Sequence, residues 1–150
     1  MANINLYCLH YGDCDPDKCT AIKLKKLNKL KFLDKITGKL KQAIFLNPFS
    51  SKEISLKDRR IVLKYGLVVI DCSWNKILNR NIPETQNPRR LPSLVAANPI
   101  NYGKWEKLSS AEAIIAALYL TGFSKNAKKL ANLFRWGQEF LRINNFKKKI

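Results

Sequence analysis

Four consecutive apolar residues, Leu67-Val68-Val69-Ile70, constrain the fold more than any other stretch of this chain. Alternating apolar and polar residues would mark a strand with one wet face, whereas an unbroken, largely β-branched run marks a strand buried on both faces. Strands of that kind belong to parallel sheets covered by helices, so the fold class is α/β. The strand leads into Ile70-Asp71-Cys72-Ser73-Trp74, which sets a carboxylate where the strand emerges. In open α/β sheets, ligands bind outside the carboxyl ends of the strands. Asp71 there could accept hydrogen bonds from a ligand hydroxyl or ammonium, or take a proton, with Trp74 as an apolar wall. The same residues also suit a helix N-cap followed by a core tryptophan, and taken alone they leave both readings open.

The rest of the chain supplies elements for such a sheet. Ile4 to His10 reads as a first strand, followed by a turn-rich acidic loop from Gly12 to Thr20. Ile22 to Leu33 carries leucines near helical spacing among lysines and predicts a short basic helix, and Ala43 to Leu46 predicts a strand ending at Asn47-Pro48. Ser55-Leu56-Lys57-Asp58 is a capping-box pattern opening a helix that runs through Tyr65 and stops at Gly66. A basic loop, Asn87 to Arg90, precedes a second apolar strand, Leu94 to Ala97, which enters the turn Asn98-Pro99-Ile100-Asn101-Tyr102-Gly103. Such a turn exposes peptide groups in fixed directions, which suits reading a purine edge, although by itself it is also an ordinary strand-to-helix connection. Ser109-Ser110-Ala111-Glu112 is another capping box, and its helix is apolar on nearly every side until Leu120 and Gly122. Leu130, Leu133, Phe134, Gly137 and Leu141 keep helical spacing toward a basic end. The expected organisation is an α/β part over residues 1–92 and a mainly helical part over 93–150.

Charge narrows the partners. The chain has 28 Lys plus Arg against 11 Asp plus Glu, a formal net charge of +17. Nine lysines and one acid lie between Lys18 and Lys41, and eight bases and one acid between Ser124 and Ile150, around a more balanced centre. Two basic flanks about a central pocket suit a polyanion gripped through its phosphates, which points to nucleic acid. No apolar run approaches the roughly 20 residues of a membrane span, and the start has no signal-peptide pattern, so no membrane partner is expected. With Cys8, Cys14, Cys19 and Cys72 read as reduced thiols, a cytoplasmic location follows. His10, Cys14 and Cys19 stand near three aspartates without any C-x-x-C pair, so that loop is read as a turn and no metal is expected. The isolated glycines form neither a G-x-G-x-x-G nor a Walker A loop, against a Rossmann methyltransferase or P-loop NTPase.

Several blocks together resemble one family. They are Asp13 to Thr20, Asn47-Pro48-Phe49, Val69-Ile70-Asp71-Cys72-Ser73-Trp74, Leu91 through Gly103, Lys107-Leu108-Ser109 with Glu112-Ala113, and Phe134-Arg135-Trp136-Gly137 with Phe140-Leu141. In this order and over nearly the whole chain they look like the small-subunit ribosomal RNA aminocarboxypropyltransferases. The resemblance implies a SPOUT-like, trefoil-knotted parallel-sheet N-terminal domain and an all-helical C-terminal domain that completes the site. It implies transfer of the 3-amino-3-carboxypropyl group of S-adenosylmethionine to N3 of a uridine-derived base, typically a methylated pseudouridine, with methylthioadenosine released. Carried onto matching positions, it assigns donor binding to Thr20, Ile70, Leu94, Ser109 and Ala113, with Asp71 and Trp74 at the reacting end. Arg59, Arg60, Arg89 and Arg90 are the expected phosphate contacts, with Lys23 and Lys26 further out. The partner is small-subunit ribosomal RNA or a pre-ribosomal particle, and a monomer is expected. A SPOUT-like RNA methyltransferase and a non-catalytic RNA-binding assembly factor are the competing readings.

Overall fold

The computed structural model describes residues 2–10, 20–71, 82–99, 102–103 and 108–146. Five parallel strands form one sheet: β1 (Leu6–His10), β2 (Lys31–Leu33), β3 (Ile44–Leu46), β4 (Leu67–Asp71) and β5 (Asn87–Arg89). Their order across the sheet is β2-β1-β4-β3-β5. The Leu67 to Ile70 run lies in the central strand, in register with Leu6 to Leu9 on one side, while Leu67 and Val68 meet Ile44 and Phe45 on the other. Side chains alternate as the pleat requires: Leu67 and Val69 join Cys8, Ile44 and Leu46 on one face, and Val68 and Ile70 join Leu9 and Phe45 on the opposite one.

Helices α1 (Thr20–Lys26), α2 (Arg59–Tyr65), α3 (Ser110–Leu120), α4 (Ser124–Ala131) and α5 (Gly137–Asn144) complete the fold. The first face packs against α1 and α3, so its core runs without a break into the C-terminal helices. Helix α3 is apolar almost all round because it is enclosed almost all round: every residue from Ile114 to Leu120 is buried. Both predicted capping boxes form. Asp58 Oδ2 accepts from Ser55 N at 3.0 Å ahead of α2, and Ser109 Oγ accepts from Glu112 N at 3.2 Å at the start of α3.

Four predicted elements differ. The basic helix ends at Lys26, because Asn28 takes a left-handed conformation (φ 58°) and Lys29 N returns to Leu24 O at 2.9 Å; residues 31–33 become β2. The predicted basic loop contains β5, where Pro88 is tolerated because the strand lies at the sheet edge. Leu94 to Ala97 is not a strand of this sheet, for a reason given below. The long helical pattern after Gly122 is two helices, α4 and α5, that meet closely. A Cβ on Gly137 would lie 1.8 Å from Ala131 O, which only a backbone shift could relieve. Gly137→Ala is therefore expected to cost about 3 kcal/mol, the upper part of the overpacking range, and to lower the Tm by roughly 6–12 °C. A thermal melt superimposing on that of the parent would show that the two helices part freely.

Candidate active site

The carboxyl ends of β1 and β4 lie side by side, with His10 in register with Asp71. The sequence also brings two helix N-termini together: Thr20, first residue of α1, accepts through Oγ1 from Ala111 N of α3 at 3.0 Å. The segment Leu94 to Asn98 completes the arrangement. It reads as a strand because its side chains are buried (Leu94, Ala96 and Ala97 are each 2% exposed or less), and several of its peptide groups bond to side chains.

Two residues provide those bonds. Asn144, on α5, accepts from Val95 N at 2.7 Å and donates to Val95 O at 2.9 Å, the two bonds a strand partner would make. Glu112, in the first turn of α3 and fully buried, accepts from Ala97 N (2.6 Å), Asn98 N (3.2 Å), Asn98 Nδ2 (2.5 Å) and Ser109 N (2.9 Å). A carboxylate taken out of water is tolerable only when its lone pairs are filled, and here four N–H groups converge on it at the positive end of a helix. Gly103 N closes the following turn onto Ala96 O at 2.7 Å.

Thr20, Ser109 and Ala113 thus lie at the start of α3, and Leu94 opens the segment that Asn144 and Glu112 hold. Ile70 sits at the end of β4 with its side chain on the opposite face, so only its peptide group is placed to share the site. Asp71 is described as the backbone end of β4, and Trp74 lies outside the described residues. In the sequence Glu112 stood as a capping residue inside one of the family blocks, with no role of its own; Asn144 gave a faint signal as a carboxamide one turn after Phe140 on a buried helix face.

The predicted phosphate contacts divide. Arg89 is 5% exposed, and its Nε donates to Asp58 Oδ1 at 3.1 Å, so its guanidinium is held inside the fold. Arg59 donates to Gly122 O at 2.6 Å and lies 4.1 Å over the Phe123 ring, closing the carboxyl end of α3. Arg90 donates to Ser51 O at 2.5 Å, and Lys23 Nζ donates to Leu133 O at 2.7 Å. Arg60 and Lys26 are exposed and have no polar partner among the described residues.

Comparison with known proteins gives the family of the chain. Residues 44–147 match the family described as "Ribosome biogenesis protein, C-terminal". Residues 4–36 match one described as "Possible Fer4-like domain in RNase L inhibitor, RLI". An iron–sulfur cluster does not fit there: it takes four thiolates, the stretch has only Cys8, Cys14 and Cys19, and Cys8 is buried in the core. A 16S rRNA aminocarboxypropyltransferase of Methanosphaera stadtmanae is 44% identical over 96% of this chain and 84% of its own length. One from Methanocaldococcus jannaschii is 42% identical over 93% and 81%, and one from Saccharolobus islandicus 41% over 94% and 82%. The solved structure of the SAM-dependent rRNA:acp-transferase Tsr3 from Vulcanisaeta distributa superposes with a TM-score of 0.88 at 36% identity, covering 95% of this chain and 79% of that one. Relatedness this even, from β1 through α5, carries one conclusion: the chain belongs to the 16S rRNA aminocarboxypropyltransferase family.

Proposed function

We propose that this protein transfers the 3-amino-3-carboxypropyl group of S-adenosylmethionine to N3 of a uridine-derived base, a methylated pseudouridine in type, in small-subunit ribosomal RNA. The observation that carries the reading is the twice-clamped Leu94–Asn98 segment, whose buried peptide groups are held by Glu112 at the start of α3 and by Asn144. Such groups suit the polar edge of an adenosine. In the reaction N3 loses its proton and attacks the γ-carbon next to sulfur. The carbon–sulfur bond breaks, and its electron pair leaves with neutral methylthioadenosine. All carbons on the sulfonium are electrophilic, so the outcome depends on which faces the base, and positioning is the main contribution.

In this reading Trp74 packs around the S-methyl group and hides it. Asp71 anchors the donor or takes the N3 proton. Thr20, Ile70, Leu94, Ser109 and Ala113 hold the nucleoside, largely through backbone groups, and Arg60 and Lys26 meet phosphates further out. The proposal extends to a SPOUT-like knotted N-terminal domain over 1–92, a helical domain over 93–150, a monomer and a cytoplasmic location. Among the described residues no helix is long and apolar enough to cross a membrane.

The test is incubation with under-modified small-subunit ribosomal RNA and donor labelled in its carboxyl carbon. Label is expected in the RNA, with stoichiometric methylthioadenosine. Transfer of a methyl label alone would make the protein a methyltransferase, and absence of both transfer and donor binding would leave an RNA-binding assembly factor.

A further inference from the structure

Tyr102 follows the clamped segment, in the turn that Gly103 N closes onto Ala96 O. It is the most exposed large hydrophobic side chain among the described residues, at 59%. Free aromatic rings on a surface turn normally sample several rotamers, yet this one is fixed at both ends. The backbone is held next to Ala96, and the hydroxyl donates to Glu139 Oε1 at 3.2 Å. Glu139 is itself held by Arg142, whose Nε donates to Oε2 at 3.1 Å and whose terminal nitrogen bonds Oε1. Gly103 beside it borders open space: a Cβ there would meet nothing within 4 Å. The arrangement keeps apolar area in water and restricts its motion, both of which are unfavourable unless something lies on the ring. Phe49, Leu27, Leu56 and Leu63 are also exposed, but none is tied to the site segment.

We infer that Tyr102 is a stacking platform for an unpaired nucleobase of the RNA acceptor, set at the mouth of the site and aimed by the Glu139–Arg142 pair. The inference rests on the transfer reading for its choice of RNA. An enzyme acting on N3, an atom on the pairing edge, must receive its base unpaired, and displaced bases and their neighbours are commonly held against aromatic faces. The exposed Arg142 guanidinium, held on the same Glu139 carboxylate, adds a cation for the adjoining phosphate. Hydrogen bonding from Arg142 keeps the Glu139 carboxyl below its ordinary value, so the acceptor of the tyrosine bond stays ionised at neutral pH.

Tyr102→Ala and Tyr102→Phe separate stacking from support of the turn. With labelled donor and small-subunit ribosomal RNA, Tyr102→Ala is expected to raise the KM for RNA about 10-fold or more, as loss of one base stack does, and to leave the KM for S-adenosylmethionine unchanged. Tyr102→Phe, which keeps the ring, is expected to remain within about threefold of the parent, because only a surface hydrogen bond is lost. An unaltered KM for RNA in Tyr102→Ala overturns the inference, as does an equal rise in both KM values. Direct RNA binding by the same variants decides the matter independently. If the parent binds RNA but transfers no label, the transfer reading fails while the affinity ratio still tests Tyr102.

Discussion

Glu112→Gln is expected to destabilise the protein by about 2–4 kcal/mol and to weaken S-adenosylmethionine binding together with stability. The carboxylate is fully buried and offers two oxygens to four N–H groups. A carboxamide keeps one oxygen and turns its NH₂ toward the donors on the other side, so up to two buried N–H groups lose their acceptor at roughly 1–3 kcal/mol each. Folded domains of this size carry about 5–15 kcal/mol, so the variant still folds and can be assayed. A Tm lowered by roughly 4–16 °C is the first readout, and calorimetric titration with S-adenosylmethionine is the second. Loosening Ala97 and Asn98 frees the segment next to Leu94, so donor affinity falls in the folded protein as well. A variant with parental Tm and parental donor affinity would falsify the clamp.

Arg89→Ala is expected to cost about 3–5 kcal/mol, because it strands the Asp58 carboxylate in a site where both side chains are 6% exposed or less. Asp58 also receives Ser55 N, so the start of α2 loosens too. RNA affinity of the folded protein is expected to stay at the parental value. Arg60→Ala is the counterpart: stability within about 0.5 kcal/mol of the parent, with weaker RNA binding and a salt slope flatter by about 1. Denaturant unfolding and RNA binding over a salt series measure both. Arg89→Ala with unchanged stability and lost RNA affinity would return Arg89 to the RNA-contacting surface.

These two replacements show where the sequence was readable. Local chemistry was: the apolar run of β4, the capping boxes at Ser55 and Ser109, and the stop at Gly66, whose φ of 94° few other residues adopt. Each is decided within a few residues of itself. The misread elements depend on partners far along the chain. Nothing near Asn87 says that Ile44 lies beside it, and nothing near Val95 says that Asn144 bonds its peptide groups. A run of lysines and leucines favours continuing a helix past Lys26, and only the conformation of Asn28 breaks it. Cations were the least legible. A guanidinium facing Asp58 and one facing solvent have the same letter, and the difference rests on a contact across 31 residues. Family motifs marked Thr20, Leu94, Ser109, Glu112 and Ala113, but only the folded chain shows that Glu112 and Asn144 hold the Val95–Asn98 backbone.

The interior place of β1 sets the order of events when the chain acquires its shape. Leu6 must wait for Leu67, and Ala2 O accepts from Asn126 Nδ2 at 2.8 Å. Closing such wide loops is entropically unfavourable before any contact offsets it. Refolding of this sheet therefore belongs with the slow, high-contact-order class, and its early compact states expose β-strand edges on which neighbouring copies can aggregate.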